Sequence, residues 1–104
     1  MDCGEVAQVD REGSEVVVRL TGEIDISNAA AVRDCLEALA GWVVTVDCSR
    51  VTFMDACALG SFVAAQRRCR EEGGKLVLYG LQPAQLRLMD ICGLTHSFDS
   101  IVPD

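Results

Sequence analysis

Apolar and polar positions change their period several times along the chain, and each change marks an element. Residues 5–9 and 15–20 are rich in valine, and Asp10-Arg11-Glu12-Gly13 puts charge and glycine between them. Two antiparallel strands joined by a hairpin follow from that pattern. After Thr21-Gly22-Glu23-Ile24-Asp25-Ile26, the apolar positions Val32, Cys35, Leu36 and Leu39 recur at helical spacing, with Ser27 placed to cap the helix and Gly41 to end it. Residues 43–47 then read as a nearly all-apolar strand of the kind buried at the centre of a sheet.

A second helix puts Leu59, Phe62, Val63 and Gln66 on one face and gathers Arg67, Arg68, Arg70, Glu71 and Glu72 at its end, before Gly73-Gly74 stops it. A strand from Lys75 to Tyr79 follows at once. Strand, helix and strand in that order predict a right-handed parallel crossover, with the start of the second helix at the carboxyl edge of strand 43–47. Pro83 suits the first turn of a third helix, with Leu86 and Met89 on its inner side and Gly93-Leu94 as its C-terminal cap. Phe98 to Val102 closes the chain as a short strand or helix. The expected fold class is α/β, a single domain over residues 1–104 with a mixed sheet of four to five strands packed against helices.

The segment Val51 to Gly60 is expected to join a buried strand to a helix, and it is unusually apolar for a connection. Packing of the segment follows, with its few polar groups placed deliberately. Asp55 stands where a helix N-cap belongs, so its carboxylate is expected to accept from backbone N–H groups that the helix leaves free.

Composition narrows the function classes. With 104 residues, 50% of them hydrophobic and 24% charged, the chain suffices for one core. The formal net charge of -7 opposes direct nucleic-acid binding, which relies on Lys and Arg displacing counterions, and favours encounter with basic patches on other proteins. No apolar run approaches the roughly 20 residues needed to cross a bilayer, so no membrane insertion is expected. Met1 to Glu5 lacks the basic start and apolar stretch of a secretory signal, which points to the cytoplasm. In that compartment Cys3, Cys35, Cys48, Cys57, Cys69 and Cys92 are expected to be mostly reduced and buried.

Catalytic signatures are missing from the sequence. His96 is its one histidine, expected at a surface turn, and it has no cysteine at metal-finger spacing, so neither a metal nor another cofactor is expected. There is no Gly-x-Ser-x-Gly elbow and no phosphate loop, and Gly73-Gly74-Lys75 reads as a helix stop before a strand. Trp42 and Tyr79, singly placed next to strands, read as core or sheet-edge residues. A protein-binding module is expected rather than an enzyme.

Leu20-Thr21-Gly22-Glu23-Ile24-Asp25, Val51-Thr52-Phe53-Met54-Asp55, Leu59-Gly60 and Gly73-Gly74 together resemble, in order and spacing, the landmarks of STAS domains of the anti-sigma factor antagonist (anti-anti-sigma factor) kind. The resemblance implies a STAS-like fold and binding to an anti-sigma factor that is also a serine kinase, which releases a sigma factor. In that family the loop usually reads Asp-Ser-Ser-Gly-Leu-Gly, and the serine directly after the aspartate is phosphorylated. Here Ala56 takes the place of that serine, Cys57 that of the second and Ala58 that of the glycine. Alanine accepts no phosphate, so the resemblance implies an antagonist held in its binding-competent form.

Carried over residue by residue, the partner surface comprises Glu23, Asp25, Asp55, Ala56, Cys57 and Leu59. For Glu23 and Asp25 a solvated turn with charge at a helix start is the competing reading. Two other functions stay open. One is a STAS adaptor subunit of an ABC-type lipid transporter or of a stress-sensing complex, and the other is a thiol redox sensor using Cys57, since a place in the first turn of a helix can make a thiol more reactive while the Asp55 charge opposes that effect. The sequence leaves a homodimer open as well.

Overall fold

A computed structural model describes residues 5–98 and 100–103. The chain runs β1 (Ala7–Glu12), β2 (Glu15–Ile24), α1 (Ala29–Glu37), β3 (Val43–Met54), α2 (Ala56–Glu71), β4 (Lys75–Tyr79), α3 (Pro83–Ile91) and β5 (Ser100–Val102). The five strands form one sheet in sequence order. β1 and β2 are antiparallel and every later pairing is parallel, which gives the mixed α/β sheet expected from the sequence.

Alternation along the strands decides where the core lies. Val16, Val18 and Leu20 of β2, Val44, Val46 and Cys48 of β3, and Leu76 and Leu78 of β4 are buried, while Val17, Thr45 and Val77 between them stay half-exposed. One face of the sheet is therefore apolar, and the helices close it with Val32 and Leu36 of α1, Leu59, Phe62 and Ala65 of α2, and Met89 of α3. Burying a side chain the size of Leu or Phe contributes about 1.5–3 kcal/mol, so this single layer supplies most of the driving force.

β3 runs longer than its apolar stretch suggests. Strand 43–47 was the expectation, with 51–60 as a connection, but β3 continues to Met54 because β2 continues beside it, Gly22 pairing with Val51 and Ile24 with Met54. β4 pairs with β3 only as far as Asp47, so β2 and β3 project past it as a two-stranded arm. Beyond β4, side chains replace the missing ladder. The Gln82 amide donates to the carbonyls of Val51 at 2.8 Å and Ser49 at 3.3 Å, and the Gln85 amide donates to Val51 at 3.2 Å.

That arrangement turns α3. Gln85 is buried with Met89, and Leu86, expected on the inner side, is 43% exposed. Gln82 and Gln85 form a capping box that brackets Pro83, and drawing the Gln85 amide to Val51 rotates the next residue outward. Helix α1 likewise starts one residue later than Ser27 would place it. Asn28 is the N-cap without a side-chain cap bond, its side-chain oxygen accepting instead from the Asp25 N–H at 2.9 Å.

The cysteines divide by burial. Cys48 and Cys69 are free and buried, Cys57 and Cys92 are free and exposed, and Cys35 is disulfide-bonded, so the expectation of mostly buried thiols fails at two positions; Cys3 lies outside the described residues. Loss of hydration, with the Asp47 charge adding to it, pushes the Cys48 thiol up to about 12, so it stays protonated. The Cys69 thiol is also raised by burial and reaches the Trp42 carbonyl at 3.3 Å. Trp42 itself is 36% exposed and lies under Arg11, whose guanidinium carbon is 4.2 Å from the ring centroid. His96 is exposed, as expected.

Gly74 locks the end of α2 to the start of β3. A Cβ there would come within 2.4 Å of the Trp42 carbonyl oxygen, a backbone atom that Lys75 N–H also uses. Gly74→Ala is therefore expected to lower stability by about 1–3 kcal/mol through overpacking. A denaturant midpoint unchanged from wild type would show that the close approach is not needed.

Candidate functional site

The arm ends at Ile24 and Met54, and Asp55 is the single residue between β3 and α2. Its carboxylate has two partners on different elements. Oδ1 accepts from the backbone N–H of Ala58 at 3.0 Å and caps α2, while Oδ2 accepts from the backbone N–H of Ile26 at 3.1 Å and holds the β2–α1 turn. The backbone N–H of Asp55 adds a bond to the Ile24 carbonyl at 3.3 Å. The expected cap is thus also a clamp between two loops distant in sequence.

The turn is braced from within. Asp25 accepts at one carboxylate oxygen from the Ser27 amide at 2.9 Å and the Ser27 hydroxyl at 2.5 Å. The Asn28 side chain accepts from Asp25 N–H at 2.9 Å and donates to the Glu23 carbonyl at 2.8 Å. The Ser27 hydroxyl, followed by its amide, holds the Asp25 carboxyl below its ordinary 3.8.

The sequence-predicted site residues fall into two groups. Glu23, Ala56 and Cys57 are exposed and Asp25 and Asp55 half-exposed, all at one end of the arm. Leu59 is fully buried and belongs to the core cluster. This corrects its reading as a partner contact, because one turn into α2 that position faces the sheet and supports the loop from beneath.

Sequence reasoning missed the apolar side chains around Asp55. Ile26 is 78% exposed and Phe53 52% exposed, although both sit in segments rich in buried residues. An isoleucine between Asp25 and Ser27 was the available signal for the first. For Phe53 there was none, since strand alternation breaks where both Thr52 and Phe53 face out. Beside Ile26 opens a groove of about 320 Å³ between α1 and α2, with Arg33, Cys57 and Gly60 among its walls. Ser61 closes its base, its hydroxyl within reach of the Ala29 carbonyl at 3.0 Å and the Cys57 carbonyl at 3.1 Å. That buried hydroxyl is committed, and the Ser49 hydroxyl is committed to Asp47 at 2.6 Å.

Among the described residues no group of three or more His, Cys, Asp or Glu side chains could hold a metal ion. No helix is long and apolar enough to cross a membrane. What the site offers is a rim of carboxylates and exposed apolar groups beside a shallow groove.

Comparison with known proteins identifies the family and the fold. A family model described as "Mlab, STAS domain" matches residues 7–103. The chain therefore belongs to the STAS domain family. It is 35% identical over 89 residues to the anti-sigma-B factor antagonist of Listeria monocytogenes, covering 83% of this chain and 78% of that one. To the anti-sigma-B factor antagonist of Bacillus subtilis it is 33% identical over 93 residues, covering 88% and 85%. The crystal structure of an anti-sigma factor antagonist from Mycobacterium paratuberculosis superimposes with a TM-score of 0.81 at 25% identity, covering 94% of this chain and 85% of that one.

Removing the clamp has a defined consequence. Asp55→Ala loses the cap and the bond to Ile26, and a drop of about 1–2 kcal/mol in unfolding free energy is expected, with faster amide exchange at Ile26 and Ala58. Asp55→Asn, which keeps acceptor capacity on one oxygen, should recover part of the loss. Equal stability of wild type and Asp55→Ala would remove the clamp from the account.

The Asp25 turn gives a pH dependence. Because its folded pKa lies below 3.8, the contribution of its ionised form is fully present above that value and is lost as pH falls through the lower folded value. Carboxyl titration by NMR should find Asp25 below 3.8, and Ser27→Ala should return it toward that value. An Asp25 midpoint above 3.8 would contradict the bonding described.

Proposed function

We propose that the chain is a cytoplasmic anti-sigma factor antagonist that binds a kinase-like anti-sigma factor and so frees a sigma factor, without being an enzyme itself. The observation that carries the proposal is the Asp55 clamp, which fixes Ala56 and Cys57 as exposed residues at the start of α2 beside an exposed Ile26. Similarity to anti-sigma-B factor antagonists over most of the chain supports it. Exposed apolar side chains ringed by carboxylates suit a partner surface with an apolar pocket and basic rim.

At Ala56 a phosphoryl group would place about -1.5 to -2 charge at the helix N-terminus and directly beside Asp55. The methyl group there accepts none, so the antagonist stays competent for binding. Regulation, in this reading, acts on its abundance or on its partner rather than through phosphate on residue 56.

Pull-down of purified protein against the anti-sigma proteins of the same organism should recover one of them, and Ile26→Ala should weaken that complex about tenfold, as expected for an exposed apolar anchor. Incubation with ATP and that partner should leave the wild type unlabelled. Ala56→Ser should be labelled if the partner is a kinase. Failure to bind any anti-sigma protein would overturn the proposal.

A further inference from the structure

The groove between α1 and α2 carries a glycine that the fold does not account for. Gly60 lies in the second turn of α2 and is exposed. Glycine inside a helix is less favourable than alanine, because it loses more backbone freedom on folding. A fold has its own use for such a residue where φ is positive or where a neighbour leaves no room for a Cβ. Gly73, with a φ of 82°, is the first case, and Gly74, pressed against the Trp42 carbonyl, is the second. Gly60 is neither. Its φ is not positive, and an added Cβ would meet no atom of the described residues within 4 Å outside its own stretch of helix.

What the missing side chain leaves is open space with apolar walls. Ala29 and Ala30 of α1 line the groove with a methyl group each, and Ile26, 78% exposed, adds a larger apolar surface. The polar groups of the lining are already engaged. The Ser61 hydroxyl is held by the Ala29 and Cys57 carbonyls at 3.0 and 3.1 Å, and Arg33 meets Asp34 at 3.7 Å. An apolar occupant therefore fits this groove better than a charged one. A dry apolar cavity of about 150 Å³ already holds a benzene ring, so a groove of about 320 Å³ has room for one side chain of leucine to phenylalanine size.

Ile26 and Cys57 belong both to this groove and to the exposed surface around Asp55, so the two are continuous. Resting on the function proposed above, we infer that Gly60 keeps the groove open for one large apolar side chain of the anti-sigma factor. Apolar anchors seated in a pocket carry much of the affinity of protein interfaces. A bulkier residue at position 60 would exclude such an anchor by overlap, so this position sets which partner fits. The unfavourable helical glycine is then a cost to the fold that serves binding.

Three variants separate this role from a structural one. Gly60→Ala should raise Tm by about 4–8 °C, as helix propensity predicts where nothing obstructs the Cβ. Gly60→Leu and Ala30→Leu fill the groove from α2 and from α1. Each should weaken the complex with the anti-sigma protein recovered by the wild type about tenfold or more, measured by calorimetry at a temperature where every variant is folded. Arg33→Ala should leave that affinity unchanged. Recovery of no anti-sigma protein by the wild type would overturn the proposed function and this inference with it. With a complex in hand, wild-type affinity in either leucine variant would overturn the inference alone. So would failure of Gly60→Ala to raise Tm, since the fold would then be using the glycine. A loss in Arg33→Ala as large as in the leucine variants would make the occupant an acidic group and overturn the inference as well.

Discussion

One carboxylate organises the functional end of this molecule. Asp55 accepts on one oxygen from the first turn of α2 and on the other from the β2–α1 turn, and its own N–H reaches the end of β2. Without that group, the first N–H groups of α2 would lack a protein acceptor at the point where the strand ends, and the loop bearing Ile26 would lose its tether. Exposed residues bind well when they are held in place beforehand, because little entropy is then lost on contact. Ala56, Cys57 and Ile26 owe their fixed positions to Asp55, and Leu59 beneath them anchors the same turn to the core.

Reaching Asp55 requires the sheet to extend past its own neighbours. β2 and β3 outrun β4, and a bare strand edge would leave carbonyls unpaired and invite association with another chain. Gln82 and Gln85 deal with this by donating to Ser49 and Val51, so the cap of α3 doubles as a substitute strand. The same choice turns Leu86 out to solvent. A polar requirement at one edge has overridden the apolar preference of one helix face.

Charge is distributed to match. Carboxylates gather around the arm, where Asp25 is stabilised in its ionised form by Ser27, while arginines concentrate toward the end of α2, with Arg68 and Arg70 in its last turn, where they complement the helix dipole. The two ends of α2 thus differ in sign and in the surfaces they suit. At the start of α2, Ala56 contributes a methyl group and no hydroxyl or charge.

The sequence by itself determined the element order up to α3, the mixed sheet, the inward residues of α2 and the cap at Asp55. These depend on local periodicity, on turn residues and on the spacing of a family motif, all of which are properties of neighbouring positions. Tertiary structure alone decided the length of β3, the strand at Ser100–Val102, the outward turn of Leu86 and the exposure of Ile26 and Phe53. Distant partners set three of these: Gly22 for Val51, Gln85 for Val51, and Ile26 for the second oxygen of Asp55. Side-chain spacing reveals which residue wants burial or a hydrogen bond, but not which distant group will supply it.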